Sequence, residues 1–383
     1  MRIAVPMETA PRERRVALVP ESCKKLIAAG HTVVLEAHAG EAAGFPDSAY
    51  KEVGVTIETD PAKLFGNAEL VCKITAPSIT PERNEVAWMT PGALYLGSLM
   101  PLRNLEAVKA LAERKITAFA TDAIPRTTRA QAMDTLSSMA SIIGYKGVLL
   151  GAAELGKYFP MITSAAGMVF PAKVFVIGAG VAGLQAIATA RRLGANVMAT
   201  DVRPEVKEQI ESVGAKYVGI ELKDGGAAGG GYAKELSAED QAKQKQLLIE
   251  QCALSDVVIT TALIGGVFAP KLLSAETVKG MKPGSVIVDL GADGGCNCEI
   301  AKAGETIHVN GVTIMAPLNL PATVPYHASL LFSRNLTNFL QTFTKDKAFN
   351  LDFNDDILQG AVITHGGEVK HAKTVAALQK ARA

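Results

Sequence analysis

The sequence predicts an α/β fold built from two doubly wound parallel sheets. Twice along the chain, short runs rich in Val, Ile and Leu alternate with segments of helical periodicity, and this alternation is typical of βαβ units. At roughly 150 residues per domain, 383 residues are enough for two or three domains. Hydrophobic residues make up 48% of the chain and aromatic residues only 5%, which suits closely packed parallel strands covered by helices.

The first series of elements occupies the first third of the chain. Pro20 and Glu21 suit the first turn of a helix, and Gly30 is placed to end it. The expected strands are Ile3–Val5, Thr32–Leu35, Leu70–Cys72, Ala93–Leu96 and Thr117–Ala120. The expected helices are Pro20–Ala29, Asp47–Val53 and Leu105–Arg114.

A long helix over Ala130–Leu155, which has few helix breakers, leads to the second series. A final helix over Phe332–Phe343 is expected to return to the first domain, and the last forty residues carry little pattern. The interval 221–237 interrupts the second series with a cluster of glycines, which predicts a mobile loop. The expected strands of this series are Val174–Ile177, Val197–Thr200, Val257–Thr260, Val286–Leu290 and Val312–Ala316.

Charge and cysteine content restrict the function classes. Lys and Arg total 39 against 38 for Asp and Glu, and a net charge of +1 argues against a nucleic-acid partner. Five cysteines, an odd number mostly in apolar segments, predict reduced thiols in the cytoplasm. Cys296 and Cys298 lack further ligands at zinc spacing, so we predict no metal site. We expect no signal peptide and no transmembrane segment, so any role at a membrane needs partner chains.

The motif VFVIGAGVAG at residues 174–183 has the form of a dinucleotide-binding turn between a strand and a helix. Gly178 permits the tight turn, Gly180 lets the backbone approach a pyrophosphate, and Gly183 lets the helix pack closely on the strand. Asp201 follows the next strand, 18 residues after Gly183, where a carboxylate accepts hydrogen bonds from the adenosine ribose. This carboxylate repels a 2′-phosphate and favours NAD over NADP, although Arg203 can weaken the repulsion.

Two further segments follow strands of the second series. Residues 260–265 and 289–295 lie at the carboxyl edge of the predicted sheet, where doubly wound folds bind ligands. We therefore expect two Rossmann-like domains flanking a cofactor cleft. The first is discontinuous, over residues 1–135 plus 327–383, and the NAD(H)-binding domain spans 136–326 with its mobile loop at 221–237.

Four stretches together resemble the family of NAD(H)-binding subunits, or domain I, of proton-translocating transhydrogenases. They are residues 125–138, residues 174–183 with 201–203, residues 230–235 and residues 281–290. The resemblance implies hydride transfer between NADH and NADP⁺ bound on a partner domain, coupled to proton translocation by membrane-spanning subunits. It also implies a homodimer in the cytoplasm, peripheral on the inner face of the cell membrane through those partners.

The resemblance assigns a role to each motif. Arg126 would contact the cofactor, and Gln131 would reach toward the partner's NADP(H). Asp134 and Ser137 would position the nicotinamide, and Tyr232 would lie at the tip of the mobile loop and close over the nucleotide. The residues that the resemblance places at NAD(H) are Arg126, Thr127, Thr128, Arg129, Gly178, Gly180, Val181, Gly183, Asp201, Val202, Arg203, Gly231, Gln244 and Leu263.

Alanine dehydrogenases share this pattern and supply the alternative function, oxidation of an amino acid in a single chain. In that family an arginine and a lysine hold the substrate carboxylate, and a histidine and an aspartate move protons. Arg15, Lys73 and Asp293 match three of these positions, whereas Ser98 stands at the position of the histidine. Oxidation of an amino acid needs a base for the released proton, and none is evident here. A third possibility is a non-enzymatic NAD sensor.

The lack of an evident base is consistent with hydride exchange between two nicotinamide rings. Neither ring gains or loses a proton, so the reaction needs placement of two carbon atoms at about 3–3.5 Å and exclusion of water. The chain holds a single complete dinucleotide fingerprint. NADP(H) is therefore expected on another chain, with each polypeptide supplying half of the active site.

Overall fold

The structure is a computed structural model that describes residues 1–220, 227–228, 232–233, 237–263 and 268–382. The chain divides into two compact units. Unit 1 contains Met1–Met139 and Pro321–Ala383, and unit 2 contains Ala140–Leu320. The chain passes from unit 1 to unit 2 within the helix Thr135–Glu154, and it returns to unit 1 just before the helix Pro325–Phe343.

The strands are β1 (Arg2–Val5), β2 (Thr32–Glu36), β3 (Thr56–Glu58), β4 (Leu70–Cys72), β5 (Leu94–Gly97), β6 (Thr117–Ala120), β7 (Ile162–Ser164), β8 (Gly167–Val169), β9 (Lys173–Ile177), β10 (Asn196–Thr200), β11 (Lys216–Tyr217), β12 (Ala227–Ala228), β13 (Tyr232–Ala233), β14 (Val257–Thr260), β15 (Val286–Asp289), β16 (Thr306–Val309), β17 (Val312–Met315), β18 (Thr344–Lys345), β19 (Ala348–Phe349), β20 (Val362–His365) and β21 (Glu368–Val369). The α-helices are α1 (Pro20–Ala28), α2 (Asp47–Glu52), α3 (Pro61–Gly66), α4 (Glu85–Trp88), α5 (Leu105–Glu113), α6 (Thr135–Glu154), α7 (Val181–Arg192), α8 (Lys207–Ser212), α9 (Ala238–Leu254), α10 (Ala275–Lys279), α11 (Pro325–Phe343), α12 (Asp356–Ala361) and α13 (Ala372–Arg382).

Unit 1 contains an eight-stranded sheet in the order β21-β20-β6-β5-β4-β1-β2-β3. Strands β1 to β6 pair in parallel, and β20 joins β6 antiparallel at one side. The central strands are apolar on both faces, as in a parallel sheet covered by helices. Phe65, Val71 and Tyr95 belong to its core.

Unit 2 contains a seven-stranded sheet in the order β11-β10-β9-β14-β15-β17-β16. Its pairs are parallel except for β16 with β17. Strand β9 lies between β10 and β14, so the strand order reverses there, and doubly wound folds bind ligands at such a switch point. The register pairs Ile177 with Thr200 and with Thr260. The segments that follow these three strands therefore begin at the same edge.

The α/β fold class with two largely parallel sheets is confirmed, as are the predicted strands, to within one or two residues at their ends. The predicted helix over 130–155 was wrong at its start. Residues Thr128–Met133 form a 3₁₀ helix, and α6 begins at Thr135 because the Asp134 carboxylate accepts a hydrogen bond from the Ser137 N–H and caps the first turn. The last forty residues form β18 to β21, α12 and α13, which the sequence pattern had not indicated.

Helix α6 is, among the described residues, the one helix long and apolar enough to meet the criteria for a membrane span. Core helices meet the same criteria, and within unit 2 α6 packs closely on the sheet. A Cβ atom at Gly151 would lie 3.0 Å from Val257 Cγ1, and one at Gly147 would lie 2.7 Å from Leu290 Cδ2. Its glycines thus allow α6 to approach strands β14 and β15.

Candidate functional site

The glycine turn of unit 2 lies between β9 and α7, at the switch point of the sheet. Gly178 has φ +96°, in the left-handed region that favours glycine, and an added Cβ would lie 2.6 Å from Thr261 Oγ1. At Gly183 a Cβ would lie 1.8 Å from the carbonyl oxygen of Gly178. These two glycines are therefore required by the turn and by the close approach of α7 to β9.

Gly180 has a different environment. Its backbone is extended, with φ −75° and ψ −166°, and no heavy atom of the described residues lies within 4 Å of an added Cβ. It is the N-cap of the 12-residue α7, and no side chain from the described part of the chain caps this end of the helix. The first N–H groups of α7 and the positive end of its dipole are thus left available, the arrangement that binds phosphate groups.

Asp201 directly follows β10 and is held against the glycine turn. Its Oδ2 accepts a hydrogen bond of 2.7 Å from the backbone N–H of Ala179, and the guanidinium of Arg203 binds both carboxylate oxygens. The hydrogen bonds with Asp201 raise the pKa of Arg203, against the opposing effect of burial. The structure therefore brings together the fingerprint glycines and the acid that sequence spacing assigns to the ribose.

The loop after β14 is held by Thr261, which lies in the segment 260–265 that the sequence places at the ligand-binding edge, and by Asn297, which sequence reasoning missed. Thr261 donates from Oγ1 to the carbonyl oxygens of Ile177 and Gly178, at 3.3 and 3.1 Å, and so holds the turn after β9. Asn297 is fully buried, and its side-chain amide binds both the N–H and the carbonyl oxygen of Ala262. Thr261 has a sequence signal, since it directly follows a strand of the switch point. Asn297 has none.

The other residues of unit 2 that are predicted to bind the cofactor lie at the start of α7, in the segments that follow β10 and β14, and in α9. Val181, 41% exposed, is the first residue of α7, and Leu263 directly follows Ala262, which Asn297 holds. Val202 is half-buried between Asp201 and Arg203, and Gln244 is half-buried in α9. Gly231 and the side chain of Tyr232 lie outside the described residues, as does most of the loop 221–237.

In unit 1 the side chains of Arg126, Thr127, Thr128, Arg129 and Gln131 are all exposed. Arg129 forms ion pairs with two acidic residues at the start of α12, Asp355 at 2.6 Å and Asp356. These hydrogen bonds raise the pKa of Arg129 and lower that of Asp355. Arg129 therefore ties this exposed segment to α12.

Asp134 and Ser137 are brought together at the start of α6. Asp134 Oδ1 accepts from the N–H of Ser137 at 2.8 Å, and its Oδ2 accepts from Ser137 Oγ at 2.6 Å. Both residues are half-buried. This is a helix cap in which the serine hydroxyl and the carboxylate remain partly accessible, and both can orient a bound amide or ring.

Two of the positions that match the alanine dehydrogenase site, Lys73 and Arg15, form ion pairs with carboxylates of unit 1. Lys73 is buried between two carboxylates, Glu8 at 3.3 Å and Glu85 at 3.2 Å, which keep its pKa raised although burial opposes this. Arg15 binds Glu13 at 2.7 Å.

Ser98 and Asp293 also have partners in their own units. Ser98 donates from Oγ to Asp122 Oδ1 at 3.1 Å, and burial raises the pKa of Asp122. Asp293 of unit 2 is exposed and accepts from the N–H of Asn319. A serine hydroxyl is not a base at neutral pH, so Ser98 does not replace the histidine.

Two family models match consecutive segments of the chain. The model described as alanine dehydrogenase/PNT, N-terminal domain, matches residues 4–143, and that described as alanine dehydrogenase/PNT, C-terminal domain, matches residues 147–372. The first part of NAD(P) transhydrogenase subunit alpha of Rhodospirillum rubrum is 44% identical over 97% of this chain and 98% of its own length. Alanine dehydrogenase of Halomonas elongata is 30% identical over 97% of this chain and 95% of its own length. The crystal structure of transhydrogenase from Sinorhizobium meliloti matches with a TM-score of 0.87 and 43% identity over 96% of this chain and 100% of that chain.

Proposed function

This chain belongs to the alanine dehydrogenase/PNT family, and from that premise we propose that it binds NAD(H) in unit 2 and presents the nicotinamide for hydride transfer with NADP(H) on a partner domain. Relatives at 40–44% identity over nearly the whole chain are NAD(P) transhydrogenase alpha subunits, and the chain is an enzyme of this type. In the forward direction the C4–H bond of NADH breaks, and the hydride forms the new C4–H bond of NADPH.

The observation that carries the proposal is the environment of Gly180. Space for a ligand lies beside its backbone at the uncapped start of α7, as far as the described residues define it, and the carboxylate of Asp201 lies at the same turn. A pyrophosphate needs such a close approach to backbone N–H groups, and an adenosine ribose needs an acceptor at this distance along the motif. The backbone beside Gly180 and the carboxylate of Asp201, both in unit 2, support the proposal.

The local chemistry of unit 1 favours transhydrogenation over oxidation of an amino acid. Oxidation of an amine releases a proton together with the hydride and needs a base. Ser98 supplies none, and the cations Lys73 and Arg15 are already paired with carboxylates of this chain. Hydride exchange between two nicotinamides has no proton to balance, so residues that only position the rings are sufficient.

Asp134, Ser137 and Gln131 are the proposed positioning groups, with Arg126 contacting the cofactor. The two hydrogen bonds that Ser137 donates to the Asp134 carboxylate fix both side chains at the start of α6. Gln131 is exposed in the preceding turn, which suits a group that reaches toward a second dinucleotide. Closure of Tyr232 over the nucleotide remains a prediction from the sequence.

The proposal places the NADP(H) site and the proton pathway on other chains. One complete dinucleotide fingerprint serves one dinucleotide, and the Rhodospirillum relative, named as only the first part of an alpha subunit, supports the existence of further subunits. We propose a cytoplasmic location on the inner face of the membrane through those subunits. We also propose a homodimer, supported by exposed apolar side chains in the β7–β8 hairpin and in the residues beside it in the sequence, namely Tyr158, Met161, Met168, Val169 and Phe170.

A reconstitution assay tests the proposed function. The full chain is mixed with an NADP(H)-binding transhydrogenase domain, and hydride exchange is followed between NADH and an NADP⁺ analogue. We expect exchange only when both proteins are present. Turnover of NADH with pyruvate and ammonia by the isolated chain would instead establish the amino-acid dehydrogenase. Binding of NADH without any exchange would establish a sensor.

Substitution of Asp134 tests its positioning role. Asp134→Asn removes the charge and one acceptor of the Ser137 pair, and we expect hydride transfer to slow by about tenfold to a hundredfold while NADH affinity changes little. Asp60→Asn is the matched control, because Asp60 caps α3 in the same way and lies outside the proposed site. Equal losses of rate and of affinity in Asp134→Asn would indicate simple anchoring of the cofactor.

A further inference from the structure

The carboxylate of Asp201 already accepts four hydrogen bonds from this chain. Its Oδ1 accepts from the N–H of Arg203 at 2.9 Å and from Arg203 Nε at 3.0 Å. Its Oδ2 accepts from the N–H of Ala179 at 2.7 Å and from Arg203 Nη2 at 3.0 Å. A carboxylate offers about four lone-pair directions. Its acceptor capacity is therefore filled while these four bonds are in place.

Binding of NAD(H) at the proposed site, on which this inference rests, requires ribose hydroxyls to donate to the same carboxylate. Two of the present donors are backbone N–H groups, one of them in the glycine turn, and they cannot withdraw without rebuilding the backbone. The other two belong to the guanidinium of Arg203, on a side chain with several rotatable bonds. The guanidinium is therefore the group that must leave.

We infer that Arg203 determines nucleotide specificity: it competes with the ribose for Asp201, and once displaced it remains near the ribose and attracts a 2′-phosphate. The two side chains are mostly buried, with 7% of Asp201 and 15% of Arg203 exposed. Their attraction is thus only partly screened by water. The same ion pair cancels the negative charge with which a lone carboxylate repels the 2′-phosphate of NADP(H).

Two effects of Arg203 both reduce the preference of the site for NADH over NADPH. Competition for Asp201 lowers NADH affinity, and the nearby positive charge raises NADPH affinity. The negative charge of Glu205 also attracts the guanidinium and contributes to the raised pKa of Arg203. Removal of the guanidinium should therefore increase the ratio of NADH affinity to NADPH affinity.

The test measures dissociation constants of NADH and NADPH for the full chain at low and moderate salt. Arg203→Met removes the guanidinium and keeps an unbranched stem, and Arg203→Lys keeps the charge without the two-pronged contact. Arg192→Met is the control, because Arg192 is exposed in the last turn of α7. We expect Arg203→Met to weaken NADPH binding by roughly tenfold or more and to tighten NADH binding.

Two further results are expected if Arg203 sets specificity. Arg203→Lys should bind NADPH with intermediate affinity, and the salt dependence of NADPH binding should decrease in Arg203→Met but not in Arg192→Met. A purely structural role would not change the salt dependence.

An unchanged ratio of the two affinities in Arg203→Met, or a loss of NADH binding as large as that of NADPH, would overturn the inference. Failure of the unmodified chain to bind NADH would refute the proposed function itself, before any variant is compared.

Discussion

Gly180 and Gly183 are three residues apart in one motif, yet the structure predicts opposite consequences for replacing them with alanine. At Gly180 the backbone is extended, and an added Cβ meets no heavy atom of the described residues within 4 Å. Gly180→Ala should therefore fold normally, with a gain of about 0.5 kcal/mol because alanine has less freedom in the unfolded chain. The methyl group would project into the space that the proposed pyrophosphate needs, so NADH affinity should fall by about tenfold or more.

Gly183→Ala changes the fold. The added Cβ would lie 1.8 Å from the carbonyl oxygen of Gly178 and 2.8 Å from its carbon, and both are backbone atoms. Helix α7 must then move away from β9 by more than 1 Å, roughly the shortfall from an ordinary contact, at a cost of about 3 kcal/mol. For a unit of this size the loss corresponds to a decrease in melting temperature of roughly 6–12 °C.

The assay combines thermal unfolding, followed by circular dichroism, with titration of NADH by fluorescence. The expected pattern is a stable Gly180→Ala that binds poorly and an unstable Gly183→Ala. Wild-type NADH affinity in Gly180→Ala would refute the reasoning, because the nucleotide would then not approach this backbone. A wild-type melting temperature in Gly183→Ala would show that the close contact between α7 and β9 is not required.

The remaining predictions concern association and acid stability. Phe170→Glu should convert a dimer to a monomer in sedimentation experiments, whereas Leu351→Glu, at an exposed residue of unit 1, should not; equal behaviour of both variants would exclude the hairpin as the interface. Burial raises the pKa of Asp256, but hydrogen bonds from Lys157 and the N–H of Lys173 lower it overall, so this carboxylate stabilises unit 2 at neutral pH and loses its effect as pH falls through its lowered pKa. Asp256→Asn should cost about 1 kcal/mol of unfolding free energy at pH 7 and progressively less in acid, and a constant difference across pH would contradict this assignment.

Much of the fold could be predicted because its constraints are local. A parallel strand buried on both faces reads as a short apolar run, and β9, β10 and β14 have this form. The fingerprint glycines are equally local, since a left-handed φ at Gly178 and the close approach at Gly183 exclude side chains there. Such constraints depend on a few consecutive residues, so they can be predicted from the sequence.

The termini of elements and the last strands depend on tertiary interactions instead. The carboxylate of Asp134 ends one helical segment and starts another, which apolar periodicity does not register. Strand β20 is no shorter than several strands that were predicted, but it forms by pairing antiparallel with β6 at the side of the sheet, a partner far away in the sequence. Thr364 adds a side-chain hydrogen bond to the carbonyl oxygen of Ile116. A pairing across most of the chain leaves no periodic signal in either partner.

Asn297 shows most clearly why some of the site could not be predicted. In the sequence it stands between two cysteines, where it suggests a loop or a weak metal motif. In the structure its amide imitates a peptide group: Oδ1 accepts from the N–H of Ala262 at 3.1 Å, and Nδ2 donates to the carbonyl oxygens of Ala262 and Pro270 at 2.8 and 2.9 Å. The loop after β14 is thereby fixed, and Thr261 on that loop fixes Gly178. The shape of the glycine turn thus depends on a residue more than a hundred positions away, and only the folded chain reveals this dependence.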